Sequence, residues 1–166
     1  MTRPTWDEYF MSMVDIVKLR STCQRRQVGA VLTRGNIIIS TGYNGSPRGI
    51  KHCVFEKDLD KTDYILGPFS SLRSHFCIRE QQSIPSGQRV EMCWAVHGEE
   101  NCIIQAARNG TSTIDSVLYC TTKPCITCLK TLINAGVKEI IYREDYNDPL
   151  SDQLMQECNI QFRKVY

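Results

Sequence analysis

Two short motifs limit what this chain can fold into more than any other feature. His97-Gly98-Glu99 reads H-x-E, and Pro124-Cys125-Ile126-Thr127-Cys128 reads P-C-x-x-C. Cys125 and Cys128 are three residues apart, so their thiols share one face of the opening turn of a helix. Pro124 suits a helix start. The positive end of that helix favours thiolate over thiol. His97 and Glu99 stand where an irregular stretch gives way to another helix. Separation by one residue lets the imidazole bind a metal while the carboxylate faces a substrate. A single metal held by His97, Cys125 and Cys128 therefore ties two helix starts to one point.

Zinc takes imidazole nitrogen and thiolate sulfur readily, and a site with three protein ligands keeps a fourth position for water. The metal lowers the pKa of that water by on the order of eight units, which supplies hydroxide near neutral pH. Glu99 is the candidate catalytic residue, a carboxylate off the metal that moves protons. Either motif alone is weak. Together, in this order, they predict a catalytic zinc site.

Periodicity places the motifs on a fold. Trp6, Phe10, Met13, Val14 and Val17 recur at helical spacing within Trp6–Arg20. Val28–Leu32 and Ile37–Ile39 flank Arg34-Gly35-Asn36 and read as a hairpin. Helices are predicted over Glu99–Arg108, closed by Asn109-Gly110, over Cys125–Asn134, ended by Gly136, and over Ser151–Glu157 with Ser151 as N-cap. Strands are predicted over Ser116–Thr121, Glu139–Tyr142 and Ile160–Val165. Strands separated by helices imply an α/β sandwich with one central mixed sheet. The 166 residues suit a single domain, 1–166. Residues from about 48 to 96 carry little periodicity and read as an insertion.

Net charge is +2, too mild to argue for nucleic acid or a membrane surface. No apolar run approaches a membrane span, and Met1–Glu8 shows no signal-peptide core, so a cytoplasmic location is expected. The nine cysteines are an odd count in a chain with no sign of export, which favours metal binding over disulfides for several of them. Cys102, Cys120 and Cys158 read as small buried hydrophobes.

At these motifs the sequence resembles the cytidine-deaminase-like superfamily, and within it the deoxycytidylate deaminases. The resemblance runs from about Arg20 to Tyr142. It rests on Gln27-Val28-Gly29-Ala30-Val31, Ser40-Thr41-Gly42-Tyr43-Asn44-Gly45-Ser46-Pro47, His97-Gly98-Glu99-Glu100-Asn101 and Pro124-Cys125-Ile126-Thr127-Cys128. It implies a three-layer α/β/α sandwich and zinc-dependent hydrolytic deamination of dCMP to dUMP, a step that feeds thymidylate synthesis. It also implies a homo-oligomer, a hexamer in the favoured case, with dCTP as activator, dTTP as inhibitor and Mg²⁺ accompanying the triphosphate. The chain departs from the usual pattern at Gly98 and Cys102, where alanine is common. Neither position is a ligand.

By the same resemblance Asn44 contacts the substrate sugar or phosphate; without it, Asn44-Gly45 would read as a tight turn. Arg25, Arg26 and Arg48 flank the right segments for a phosphate, and the sequence does not choose among them. Cys23, Cys53, Cys77 and Cys93 are expected to form a second, structural zinc site that staples the insertion to the core, with His52 or His75 as an alternative to one thiolate. Two rival readings remain at this stage. One is a deaminase of cytidine, guanine or a tRNA nucleotide. The other is a non-catalytic, zinc-stabilised nucleotide-binding module.

Overall fold

The computed structural model describes residues 2–23, 25–50, 53 and 77–166. His52 and His75 lie outside the described residues. The elements run α1 (Trp6–Lys18), β1 (Gly29–Arg34), β2 (Ile37–Tyr43), α2 (Ile78–Gln81), α3 (Gly98–Arg108), β3 (Ser116–Thr122), α4 (Ile126–Asn134), β4 (Val137–Glu144), α5 (Pro149–Glu157) and β5 (Gln161–Lys164), with a 3-10 turn at Val90–Met92 between α2 and α3.

The strands form one mixed sheet in the order β2-β1-β3-β4-β5. β1 runs antiparallel to β2 and β3, while β3, β4 and β5 run parallel. Gly35 and Asn36 connect β1 to β2 with φ of 55° and 63°. Positive φ at both residues suits the right-handed twist of a two-residue hairpin, and Gly and Asn adopt it cheaply. The parallel pairs need crossovers, and α4 and α5 supply them.

Alternation along the strands splits the core in two. Ala30, Leu32, Leu118, Cys120 and Ile140 meet Cys102 and Ala106 of α3 and Leu129 and Leu132 of α4. Val31, Tyr119 and Ile141 point the other way, onto Phe10, Met11 and Val14 of α1. Helices therefore cover both faces, giving the three-layer α/β/α sandwich expected. Trp6, expected on the buried stripe, is half-exposed and stacks on Phe10 with ring centroids 5.6 Å apart.

Glycine sets how closely α3 approaches the sheet. A Cβ on Gly42 would lie 2.2 Å from the Gly98 carbonyl oxygen and 2.5 Å from the Cys102 nitrogen. Only a residue without a side chain lets backbone meet backbone there. Two helix starts differ from expectation. Asp148, not Ser151, caps α5, with its side chain accepting from the Ser151 amide at 3.1 Å. Ser151 sits within the first turn, fully buried, and its hydroxyl donates to the Pro124 carbonyl at 2.8 Å. Pro124 precedes the cap of α4, Cys125, instead of opening the helix. All nine cysteines are free thiols. No helix among the described residues is long and apolar enough to cross a membrane.

Candidate active site

Because β1 is antiparallel to β3, the start of β1, the end of β2 and the end of β3 lie at one end of the sheet. A cavity of about 110 Å³ opens there, lined by Val28, Asn44, Thr122 and Lys123 from the strand ends. His97, Gly98 and Glu99 enter it from the start of α3, and Cys125 enters from the cap of α4. This is the customary ligand end of an α/β sheet, outside the carboxyl ends of parallel strands.

Among the described residues, His97, Cys125 and Cys128 bring their donor atoms within 4.8 Å of one another. His97 Nδ1 lies 3.2 Å from Cys128 Sγ and 3.4 Å from Cys125 Sγ. Tetrahedral zinc, with Zn–S of about 2.3 Å and Zn–N of about 2.0 Å, would separate such donors by roughly 3.5 Å. The donor chemistry and the spacing both fit that ion. Backbone hydrogen bonds also fix the helix starts that carry these groups. The Glu100 carboxylate accepts from the His97 amide at 3.3 Å, and Asp148 accepts from the Ile126 amide at 2.8 Å. Asp148 thus caps α4 as well as α5.

Proton affinities follow the packing. The Cys128 thiol donates to Cys125, and with the His97 ring it holds the Cys125 thiol down at about 4. Cys128 moves in the opposite sense, well above the usual thiol range, because it is the donor of that pair and is buried. The Cys125 thiolate in turn lifts His97 to about 9. Glu99 is 4% exposed. Burial pushes its carboxyl up to about 7, against the pull of His97. A carboxyl poised near neutrality beside a metal-ligand set suits general acid–base work.

Asn44 lines the cavity, but most of its amide is committed elsewhere. Its Oδ1 accepts from the Ser21 hydroxyl at 2.6 Å and the Val28 amide at 2.8 Å, and its Nδ2 donates to the Arg26 carbonyl at 2.8 Å. One amide hydrogen is left for a ligand. Neither Asn44 nor Gly45 has positive φ, so the pair is not the tight turn that the sequence alone would suggest.

Cys23, Cys77 and Cys93 line the same cavity. Cys53 lies close enough to all three that, after burial, their charges are what raise its thiol to about 11. These four thiols share a neighbourhood, though no three of them gather as tightly as the His97 set.

Positive side chains complete the lining. Arg25 and Arg26 do so, whereas exposed Arg48 does not. Arg79, Lys123 and Tyr146 were not legible as cavity residues. Arg79 lies in the stretch without periodicity, and the other two follow strand ends whose meeting depends on the sheet order.

The chain is similar to known proteins along most of its length. The pattern of the cytidine and deoxycytidylate deaminase zinc-binding region matches residues 4–144. A deoxycytidylate deaminase of Schizosaccharomyces pombe is 36% identical over 98% of this chain and 44% of its own length. The ComE operon protein 2 of Bacillus subtilis is 33% identical over 99% of this chain and 74% of its own. A deoxycytidylate deaminase of Mycobacterium phage D29 is 30% identical over 87% of this chain and 99% of its own. The chain thus spans less than half of the fission-yeast relative. Among solved structures, a dCMP deaminase from the cyanophage S-TIM5, in complex with dCMP and dUMP, superposes with a TM-score of 0.70 at 24% identity, covering 99% of this chain and all of that one.

Proposed function

This chain belongs to the cytidine and deoxycytidylate deaminase family, and on that footing we propose that it hydrolyses dCMP to dUMP and ammonia. The observation that carries the reading is the convergence of His97, Cys125 and Cys128 with buried Glu99 in one cavity ringed by positive side chains. His97, Cys125 and Cys128 would hold zinc. That ion, when bound, supplies hydroxide near neutral pH. Glu99 would take a proton from the attacking water and deliver it to the ring nitrogen of the cytosine, then take the proton of the added hydroxyl and deliver it to the leaving amine. Water adds at the amino-bearing carbon, the C–N bond breaks, and ammonia leaves with the keto product. Burial of Glu99 keeps its carboxyl in the range where it both accepts and returns a proton.

The cationic lining favours a nucleotide over a free nucleoside. Asn44, with one amide hydrogen spare, would contact the sugar or phosphate while its other bonds fix the loop carrying Arg25 and Arg26. Cys23, Cys53, Cys77 and Cys93 would hold a second, structural zinc, and their mutual effect on Cys53 supports that grouping. A buried acid–base group beside the metal donors argues against a purely binding module.

A substrate panel tests the reading. Ammonia release is measured from dCMP, CMP, deoxycytidine and dCTP, each with and without Mg²⁺–dCTP and Mg²⁺–dTTP. The expected result is fastest turnover of dCMP, with the effector arms reporting activation and inhibition and parallel sedimentation reporting a hexamer. Deoxycytidine turned over as well as dCMP would defeat the nucleotide assignment.

A further inference from the structure

Asn101 follows Glu99 on α3 and does not line the cavity. Helical side chains lean toward the N-terminus of their helix, so its amide reaches back over the residues that lead into α3. The close approach of α3 to Gly42 also brings it beside the end of β2, since a Cβ on Gly42 would lie 3.0 Å from the Asn101 carbonyl carbon. Asn101 Nδ2 donates to the Tyr43 carbonyl at 2.8 Å and to the Val96 carbonyl at 3.5 Å. Both amide hydrogens are thereby spent on backbone oxygens of two other segments. Tyr43 ends β2 just before Asn44, and Val96 stands just before His97. Those segments also meet directly. The Gly45 amide donates to the Val96 carbonyl at 3.1 Å, and the Val96 amide donates to the Gly45 carbonyl at 2.9 Å. The pair is an isolated antiparallel bridge, outside the five strands. Two backbone bonds are a weak join by themselves. Asn101 ties both sides of it to a helix that packs on the sheet through Cys102 and Ala106.

We propose that Asn101 is a positioning residue: it clasps the Gly45–Val96 bridge and so sets the distance between His97, which would hold the metal, and Asn44, which would hold the nucleotide. This deepens the deaminase reading and rests on it for those two roles. Each of the two residues is the chain neighbour of a bridged one, so a slip of the bridge moves the substrate contact against the attacking water. A misplacement on the order of 1 Å costs about 100-fold in rate. The Asn44 side chain has anchors of its own in Ser21, Arg26 and Val28. All three precede β1, and none belongs to α3 or to the segment that leads into it. The link from Asn44 to the metal side therefore runs through the bridge and its clasp. Aspartate at this position would keep the shape of asparagine and lose both donors, turning its oxygens toward two carbonyl oxygens.

The test uses the full-length, zinc-replete protein and its Asn101→Ala and Asn101→Asp variants, with rates counted per bound zinc. For Asn101→Ala, kcat with dCMP should fall about 30-fold while KM stays within about threefold, because the cationic lining of the cavity is untouched. Asn101→Asp should fall further. Hydrogen exchange should show the Gly45 and Val96 amides losing about tenfold or more in protection in Asn101→Ala, while β1 and β3 keep theirs. A merely structural asparagine predicts the reverse: protection and melting temperature fall across the sheet, and kcat per bound zinc holds. Unchanged kcat per bound zinc overturns the proposal. So does a fall in kcat with Gly45 and Val96 as well protected as in wild type. Should neither variant fold, the wild type decides. Its two Asn101 side-chain amide protons should exchange with water at least about tenfold more slowly than those of exposed Asn36 and Asn109. Equal exchange at the three asparagines overturns the clasp. A wild type inert toward dCMP would defeat the deaminase reading alone, and the exchange comparison would still decide whether Asn101 holds the bridge.

Discussion

The cavity lies between two groups of side chains, the His97, Cys125 and Cys128 donors and the four thiols proposed to hold a second zinc, and the two groups are held in different ways. His97 and Cys125 cap α3 and α4, and Cys128 lies in the first turn of α4. Both helices pack on the sheet through buried Cys102, Ala106, Leu129 and Leu132. Cys23 and Cys53 lie outside regular structure, Cys77 caps a four-residue helix, and Cys93 ends a 3-10 turn. In the first group the fold positions the donors, and a metal adds chemistry. In the second group the surrounding segments bury little, so a metal would position the fold. On the proposed reading, one chain would use the same thiol chemistry for two purposes, separated by how much apolar packing stands behind each cysteine.

The sharpest test of the first half of that contrast is Glu99→Gln. Turnover should fall by about 10³-fold while zinc content stays at the wild-type value, since the carboxylate is not among the donors. Ready turnover by this variant would break the assignment. Metal removal tests both halves at once. After chelation, hydrogen exchange should show α3 and α4 keeping their protection, while residues 77–96 lose protection by about tenfold or more. Equal loss in both regions would erase the distinction.

Stability against pH sharpens the comparison further. In the metal-free protein Glu99 titrates at about 7, above its ordinary 4.5. The folded value is the higher one, so its contribution is complete below pH 4.5 and is lost as pH rises through 7. The slope is worth on the order of 3 kcal/mol, and Glu99→Gln should remove it. Denaturant melts of the two metal-free proteins between pH 4.5 and 8 measure the difference. A smaller effect is expected at Gly42→Ala. The added methyl would strike the Gly98 carbonyl and push α3 off the sheet, at a cost of about 2 kcal/mol by urea unfolding. No change there would mean that α3 tolerates movement, and that packing on the sheet does not hold the inner donors.

The inner site was legible because its information is local. A C-x-x-C spacing fixes two thiols on one helical turn wherever the helix goes, and H-x-E does the same for its pair. The longer helices and the strands were likewise readable from periodicity, down to the Gly35-Asn36 hairpin, whereas α2 and the 3-10 turn at Val90–Met92 lie in the stretch that shows none. The cap of α5 was misread because Asp148 and Ser151 are both good capping residues. Pro149 at the first helical position was the signal that favours Asp148. Arg79 was missed for a different reason. Nothing in Cys77-Ile78-Arg79-Glu80 distinguishes a buried guanidinium from a solvated one, because burial there depends on a turn closing over it and on strand ends far away in sequence.

The double cap at Asp148 bears on how this fold can be divided. The family pattern ends at residue 144, and every inner donor lies before that point. Asp148, Ser151 and Asp152 lie after it, yet they fasten Ile126, Pro124 and Lys123, the residues around Cys125. A fragment cut at Glu144 would inherit the full set of ligands and lose the clasp that aims them. The shortest stretch that spells the chemistry is therefore shorter than the shortest stretch able to perform it.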